Sequence, residues 1–117
     1  MSISAFDMEI AEGIKKIIDS DIQIHYSTGY LAEKAGMSEN KLNEIFKQVA
    51  ATTLFAYLQK KRMMQAATLL QDTTMRLKQI SKQCGYRNYS NFSRAFKTHV
   101  GVAPLTYRNA IFKKNSD

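Results

Sequence analysis

Two groups of polar side chains repeat in the sequence with the spacing of a single helix face, i, i+3, i+4 and i+7. The groups are Asn40, Asn43, Glu44 and Lys47, and then Ser90, Ser93, Arg94 and Lys97. An arginine can form two hydrogen bonds to guanine, and an asparagine can form two to adenine. Serine and lysine suit phosphate contacts and less selective base contacts. The two groups therefore predict two helix faces that could read and hold a DNA duplex.

The predicted DNA-binding set extends slightly beyond these two faces. Its members are Asn40, Lys41, Asn43, Glu44, Lys47, Arg87, Asn88, Tyr89, Ser90, Ser93, Arg94 and Lys97. The faces differ, because Glu44 stands where the second face has Arg94, and an acid repels phosphates. Glu44 either accepts a hydrogen bond from cytosine or pairs along its helix with Lys41 or Lys47; the pairing is the favoured interpretation. We therefore expect the second face to supply most of the affinity, and the first to adjust register or specificity.

The two faces belong to two copies of one sequence pattern. An offset of 49 aligns Leu31-Ala32-x-x-Ala35-Gly36-Met37 with Ile80-Ser81-x-x-Cys84-Gly85-Tyr86, and an offset of 50 aligns Leu42-x-x-x-Phe46-Lys47 with Phe92-x-x-x-Phe96-Lys97. The second copy therefore has one extra residue in its turn. Each copy reads as a short helix, a turn that contains glycine and a longer helix, which is the helix-turn-helix arrangement.

Apolar residues recur at helical spacing along the chain, which contains only one proline and five glycines. We predict an all-α fold of about seven helices, with two helix-turn-helix subdomains joined by a central linker helix, in a single DNA-binding domain over residues 1–117. The expected bounds are about 28–50 for the first helix-turn-helix, 54–71 for the linker helix, 77–100 for the second helix-turn-helix and 104–113 for a closing helix. The apolar stripes expected to face the core include Phe6 and Val100, and the closing helix carries Leu105, Tyr107 and Ile111.

Composition excludes several classes of protein. The 44% hydrophobic content is typical of a folded domain, and one cysteine cannot form a disulfide framework or a cysteine-rich zinc site. His25 and His99 lack nearby ligands at metal-binding spacing, so we expect no metal and no cofactor. The absence of a Gly-rich phosphate loop, a nucleophile elbow and a spaced carboxylate pair predicts that the protein is not an enzyme. Cys84 is expected to be a buried small hydrophobe, and Arg62 to tie helices together.

Charge is distributed unevenly along the chain. Residues 1–58 hold five basic and eight acidic side chains, whereas residues 59–117 hold twelve basic and two acidic ones. A one-sided excess of this size indicates a polyanion partner, or else a solvated basic face without a partner. No run of 18 apolar residues is present, and the polar faces carry serine, asparagine and lysine, so we expect no membrane partner.

The second copy and the residues after it resemble the DNA-binding domain of the AraC/XylS family of bacterial transcription regulators. The matching stretch is Gly85-Tyr86-x-x-x-Ser90-x-Phe92-Ser93-Arg94-x-Phe96-Lys97-x-x-x-Gly101-Val102-x-Pro104-x-x-Tyr107-Arg108. The first copy matches more loosely, through Leu31-Ala32, Gly36-Met37-Ser38, Leu42, Phe46-Lys47, Tyr57-Leu58 and Arg62. Three residues depart from the family pattern: Ala51 replaces the usual glycine, Glu44 a more usual basic residue, and Arg76 a frequent capping hydroxyl.

The resemblance covers roughly residues 8–110 and implies a seven-helix domain that binds adjacent major grooves of double-stranded DNA and recruits or positions RNA polymerase. It therefore implies a sequence-specific, cytoplasmic transcription regulator. Family members commonly carry a separate ligand-sensing or dimerisation domain, which we expect to be absent from these 117 residues, as in a stand-alone regulator or a C-terminal fragment. The alternative is a basic helical module that docks on an acidic protein, such as a polymerase subunit.

Overall fold

The computed structural model describes residues 3–21 and 27–115, and within them it contains seven helices and no strand. The helices are α1 (Ala5–Ser20), α2 (Thr28–Ala35), α3 (Glu39–Ala50), α4 (Leu54–Asp72), α5 (Leu77–Gln83), α6 (Tyr89–Val100) and α7 (Pro104–Asn115). The pairs α2–α3 and α5–α6 form the two helix-turn-helix motifs, and α4 connects them along the chain. The predicted all-α fold is therefore confirmed. His25 lies outside the described residues.

Five helices begin at a residue whose side chain caps the helix, and Thr53 of α4 is one of these caps. Ser4, Ser27 and Ser38 each accept a hydrogen bond from the backbone N–H three residues later, at 3.0–3.2 Å. Asn88 does the same for α6 through Oδ1, at 3.1 Å. Such bonds satisfy N–H groups that have no partner inside the helix, and each contributes about 1 kcal/mol. Arg76 precedes α5 and makes no side-chain cap, because a guanidinium group has no acceptor atom.

The turn inside each motif has the same backbone hydrogen bonds. They are Gly36 N to Glu33 O (3.1 Å) and Met37 N to Ala32 O (3.0 Å) in the first motif, and Gly85 N to Lys82 O and Tyr86 N to Ser81 O (both 3.0 Å) in the second. Gly36 and Gly85 have φ values of 71° and 89°, which glycine adopts without steric cost. The second turn has one more residue between its glycine and the N-cap of the next helix. Ser38 follows Gly36 by two positions, whereas Asn88 follows Gly85 by three.

The chain divides into two compact units, Met1–Gln59 and Lys60–Asp117, and each has its own hydrophobic core. The buried core residues of the first unit are Ala11, Ile14, Ile18, Leu31, Ala32, Leu42, Phe46, Leu54 and Leu58. Those of the second are Met63, Ala66, Leu70, Ile80, Cys84, Phe92 and Phe96. The boundary lies within α4, so the first part of this helix packs in one core and the second part in the other. Each motif is thus fixed on a segment of α4.

Two residues predicted to face the core are exposed, and that prediction was wrong for them. Phe6 is 62% exposed and Val100 38%. Each lies within two residues of a helix end. At a helix end, helical spacing alone does not show whether another element extends far enough to cover the side chain.

Two buried arginines hold elements of the second unit together. Arg62 in α4 is 6% exposed, and its guanidinium carbon lies 5.7 Å from the ring centroid of Tyr86. Arg108 in α7 donates to backbone carbonyls at and just beyond the C-terminal end of α4. These carbonyls belong to Leu70 (3.2 Å), Met75 (2.6 Å), Thr73 (3.2 Å) and Leu69 (3.4 Å). The last carbonyls of a helix lack a partner within it, so Arg108 supplies donors at this end of α4. The Leu69 carbonyl also accepts from the backbone N–H and the hydroxyl of Thr73.

Candidate nucleic-acid interface

Helix α3 has one buried face and one exposed polar face. Leu42, Ile45 and Phe46 are buried, and Ser38 starts the helix so that these residues point into the first core. The five predicted site residues of this helix are all exposed; they are Asn40, Lys41, Asn43, Glu44 and Lys47. The structure therefore brings the first predicted group together on the solvent side of α3.

Helix α6 repeats this arrangement in the second unit. Phe92 and Phe96 are buried, and their rings lie 6.0 Å apart between centroids. Five predicted residues in this motif are exposed, namely Arg87, Asn88, Ser90, Arg94 and Lys97, whereas Tyr89 and Ser93 are half-buried. The second predicted group thus lies on the outer side of α6, with Arg94 and Lys97 one turn apart.

Two members of the predicted set have structural roles as well. Asn88 caps α6 through its carbonyl oxygen, so only its amide N–H2 group is left to donate to a ligand. Tyr89 packs against the second core, with its ring 6.0 Å from that of Phe92. Arg87 occupies the extra position of the second turn and is exposed. Arg87 therefore stands in the turn just before the N-cap of α6, whereas Ser90 lies in the first turn of that helix.

The expected ion pairs of Glu44 are not formed. In the described part of the chain, the Glu44 carboxylate lies beyond ion-pairing distance of both Lys41 and Lys47. Exposed pairs of this kind gain little over hydration, and the more favourable i, i+4 position after Glu44 holds Gln48, which is neutral. The interpretation that favoured pairing was therefore wrong, and α3 presents an uncompensated carboxylate beside its amide and lysine.

An open groove of about 450 Å³ lies along this face of α3 in the first unit. Its lining residues are Thr28, Asn43, Glu44, Lys47, Thr53, Leu54 and Phe55. Thr28 begins α2, and Thr53 caps α4 by accepting from Ala56 N at 3.0 Å. The sequence analysis missed Thr28, Thr53 and Phe55, because only the fold brings the starts of α2 and α4 beside the middle of α3.

The electrostatics of the second unit follow from its composition. No acidic residue occurs between Thr73 and Ser116, so Arg87, Arg94 and Lys97 have no carboxylate near them in sequence. Such a surface attracts phosphates, and ionic strength weakens that attraction.

Cys84 does not add a nucleophile to this surface. It is fully buried, and this burial outweighs the opposing charge of Arg62 and raises the pKa of the thiol to about 12. A thiol with this pKa stays protonated at neutral pH, whereas the thiolate is the reactive form. The described residues contain no group of three or more His, Cys, Asp or Glu side chains that could hold a metal ion. Among the described helices, none has the length and hydropathy needed to span a bilayer.

Comparison with known proteins finds the same domain in other chains. A family described as "Helix-turn-helix domain" matches residues 31–110. The HTH-type transcriptional activator RhaR of Mannheimia succiniciproducens is 29% identical over 108 residues, which cover 92% of this chain and 39% of RhaR. The probable transcription factor PqrA of Proteus vulgaris is 35% identical over 78 residues, which cover 67% of this chain and 64% of PqrA. The chain thus spans less than two thirds of either relative.

Solved structures share this fold. The C-terminal domain of the two-component response regulator yesN from Fusobacterium nucleatum has a TM-score of 0.81 and 29% identity, and the match covers 86% of this chain and 98% of that one. The DNA-binding domain of AdpA, solved in complex with a target DNA, has a TM-score of 0.86 at 20% identity and covers 92% and 96%. The likeness to AdpA shows that the two chains share a fold.

Proposed function

The chain belongs to the AraC-type family of helix-turn-helix transcription regulators, and from this premise we propose that it is a sequence-specific DNA-binding regulator of transcription. Helices α3 and α6 are its recognition helices and enter adjacent major grooves of double-stranded DNA. The relatives RhaR and PqrA are described as a transcriptional activator and a probable transcription factor, which supports the proposal.

One observation carries the proposal. Each motif buries the apolar face of its second helix and leaves the opposite polar face in solvent, and the two faces occupy equivalent positions of an internal repeat. A helix face that only meets solvent has no need to recur as a polar face at equivalent positions of a repeat. Two equivalent faces that carry asparagine, serine, arginine and lysine suit two major grooves, where these residues reach base edges and phosphates.

The two motifs contribute unequally in this proposal. Arg94 on α6 can bind guanine with two hydrogen bonds, whereas the equivalent Glu44 on α3 repels phosphates. The surroundings reinforce this difference, because residues 59–117 carry a net charge of +10 and residues 1–58 a net charge of −3. The second motif therefore supplies most of the affinity, and the first adjusts register and base preference.

The proposed regulator also has a protein partner and a cellular location. A regulator of this kind acts on RNA polymerase at the promoter, and it works in the bacterial cytoplasm, where the chromosome lies. The described residues serve DNA binding; the proposal assigns to them no effector site, no cofactor and no catalytic step. If the chain instead docked on an acidic protein, replacement of Arg94 would leave its affinity for duplex DNA unchanged.

Selection of bound sequences from a random pool of duplex DNA tests the proposal. We expect an asymmetric site with two boxes about one helical turn apart, since the two motifs of one chain differ. If about six phosphates are neutralised, log K falls with log salt at a slope of roughly −5. Arg94→Ala is expected to weaken binding to the selected site more than Asn43→Ala does. A larger loss from Asn43→Ala contradicts the dominance of the second motif, and failure to enrich any sequence contradicts the proposed function.

A further inference from the structure

The groove beside α3 contains an apolar ring that the predicted polar face does not account for. Phe55 is 76% exposed and lines the groove together with Asn43, Glu44 and Lys47. Its neighbour Leu54 is buried in the first core, so the backbone that carries Phe55 is anchored. The start of α4 thus places this exposed ring beside the polar face of α3.

The equivalent position of the second unit, at the start of α7, is also exposed and apolar. Leu105 corresponds to Phe55 at the repeat offset of 50, and it is 52% exposed. Helices α4 and α7 also begin alike, because Tyr57 N donates to Thr53 O and Tyr107 N to Ala103 O, both at 2.9 Å. Phe55 and Leu105 are thus the second residues of equivalent helices. An apolar side chain in solvent at both positions indicates a role that the two motifs share.

The other groove residues indicate what kind of surface this ring meets. The lining contains one cation, Lys47, and one carboxylate, Glu44, so it has no net positive charge to hold a phosphate. The remaining lining side chains are an amide, two hydroxyls and two apolar groups. Such a lining suits the edge of a base better than the sugar-phosphate chain. Among base edges in the major groove, only thymine presents an apolar group, its C5 methyl, and phenylalanine is one of the side chains that contact it.

We propose that Phe55 is a specificity-determining residue that contacts the C5 methyl of a thymine in the part of the site bound by the first motif. This inference rests on the proposed function and extends it to a residue outside the predicted set. It also explains how the first unit contributes to recognition although α3 carries Glu44: Phe55, at the start of α4, selects a base through an apolar contact that needs no positive charge.

The experiment compares thymine with deoxyuridine, which lacks the C5 methyl. The probe is the duplex selected by the unaltered protein, with each thymine replaced in turn. One replacement in the box of the first motif is expected to weaken binding about fourfold, the value of burying one methyl-sized group. Phe55→Ala is expected to weaken binding to the thymine duplex by at least the same factor and to abolish the difference between thymine and deoxyuridine at that position. Phe55→Leu, which keeps an apolar side chain, is expected to retain the difference.

Phe6→Ala is the matched control, because Phe6 is also an exposed phenylalanine of the first unit but does not line the groove. This substitution should leave the affinities for the thymine duplex and for the deoxyuridine duplex unchanged. Since Phe55 is mostly exposed, thermal unfolding of Phe55→Ala should match that of the unaltered protein. An equal loss of affinity for thymine and deoxyuridine duplexes places the ring on the sugar-phosphate chain and overturns the proposal. Unchanged DNA affinity of Phe55→Ala overturns it as well and points to a protein partner. Failure of the unaltered protein to select any sequence instead overturns the proposed function, and this inference with it.

Discussion

The rings of Phe46 and Tyr57 meet edge to face in the first unit, with 5.4 Å between centroids and 73° between ring planes. Fifty residues later, Phe96 and Tyr107 meet in the same way, at 5.4 Å and 74°. In each unit the contact joins the second helix of the helix-turn-helix motif to the helix that follows it. Aromatic pairs favour this geometry because the positive edge of one ring faces the negative face of the other. The repeat is therefore reproduced in side-chain packing as well as in sequence.

The phenol of Tyr57 has a second contact that makes the first unit sensitive to high pH. Its hydroxyl donates to the Asp19 carboxylate in α1, at 3.2 and 3.3 Å, and burial together with this carboxylate raises the pKa of Tyr57 to about 12. Folding thus favours the protonated phenol. The resulting stability is fully present below pH 10 and is lost as the pH rises toward 12. Tyr57→Phe should lower the free energy of unfolding by about 1 kcal/mol at pH 8.

The measurement is urea unfolding of both proteins at several pH values. The difference between them should shrink from pH 10 to pH 12, and comparing the two proteins removes the contributions of Cys84 and the lysines. A difference that stays constant over this range contradicts the role of the Asp19 contact.

Ala51 is held in a conformation that suits glycine. It follows α3 with a φ of 59°, and it is the one non-glycine residue with positive φ in the described part of the chain. Its counterpart Gly101 has a φ of 98° after α6. The left-handed region costs an L-residue about 1–2 kcal/mol, of which the greater chain entropy of unfolded glycine offsets a part. Ala51→Gly should therefore raise the free energy of unfolding by roughly 0.5–1 kcal/mol.

Gly101→Ala is the matched reverse change. A Cβ at this position would have no atom within 4 Å, so its cost reports backbone conformation alone. We expect a loss of about 1 kcal/mol, measured as a lower urea midpoint at unchanged m-value. If Ala51→Gly and Gly101→Ala changed the free energy of unfolding in the same direction, backbone conformation would not be what determines these turns.

Arg108 should matter for stability, unlike the exposed Arg94. Arg108→Met removes the donors to carbonyls at the end of α4 and leaves buried acceptors unpaired, so we expect a loss of about 3 kcal/mol or more. Arg94→Met replaces an exposed side chain and should change stability by less than about 0.5 kcal/mol while weakening DNA binding. Chemical unfolding and a DNA-binding titration of both variants separate the two effects. A stable Arg108→Met protein would show that water replaces the guanidinium at these carbonyls.

Glu44 should reduce binding to DNA of any sequence. Because its carboxylate forms no ion pair with Lys41 or Lys47, its charge acts on nearby phosphates, and Glu44→Gln should raise non-specific affinity about threefold at low salt. Glu9→Gln, which removes an exposed acid from α1, is the control and should have a smaller effect. The assay is titration of a random-sequence duplex at two salt concentrations. An equal increase from both variants would mean that only net charge matters.

Local sequence signals were sufficient for much of this fold. The spacing of Leu42 and Phe46, and of Phe92 and Phe96, predicted which side of α3 and α6 is buried, because a helix puts residues four apart on the same face. Gly36, Gly85 and Ser38 predicted where helices end and begin, since caps and left-handed turns depend on a few neighbouring residues. The polar residues of α3 could be assigned to the solvent side for the same reason.

Tertiary structure decided the features that depend on residues far apart in the chain. Arg108 donates to carbonyls 33–39 positions earlier, and Tyr57 donates to Asp19, 38 positions earlier. Neither hydrogen bond produces a periodic pattern in the sequence. Whether Val100 and Leu105 are covered depends on how far a neighbouring element extends, which helical spacing does not encode. Phe55 joins the groove beside α3 only because the fold brings the start of α4 there. The repeat and its polar faces are properties of the sequence; the groove, the buried arginine and the exposed ring arise from packing between distant segments, because only packing determines which side chains become neighbours.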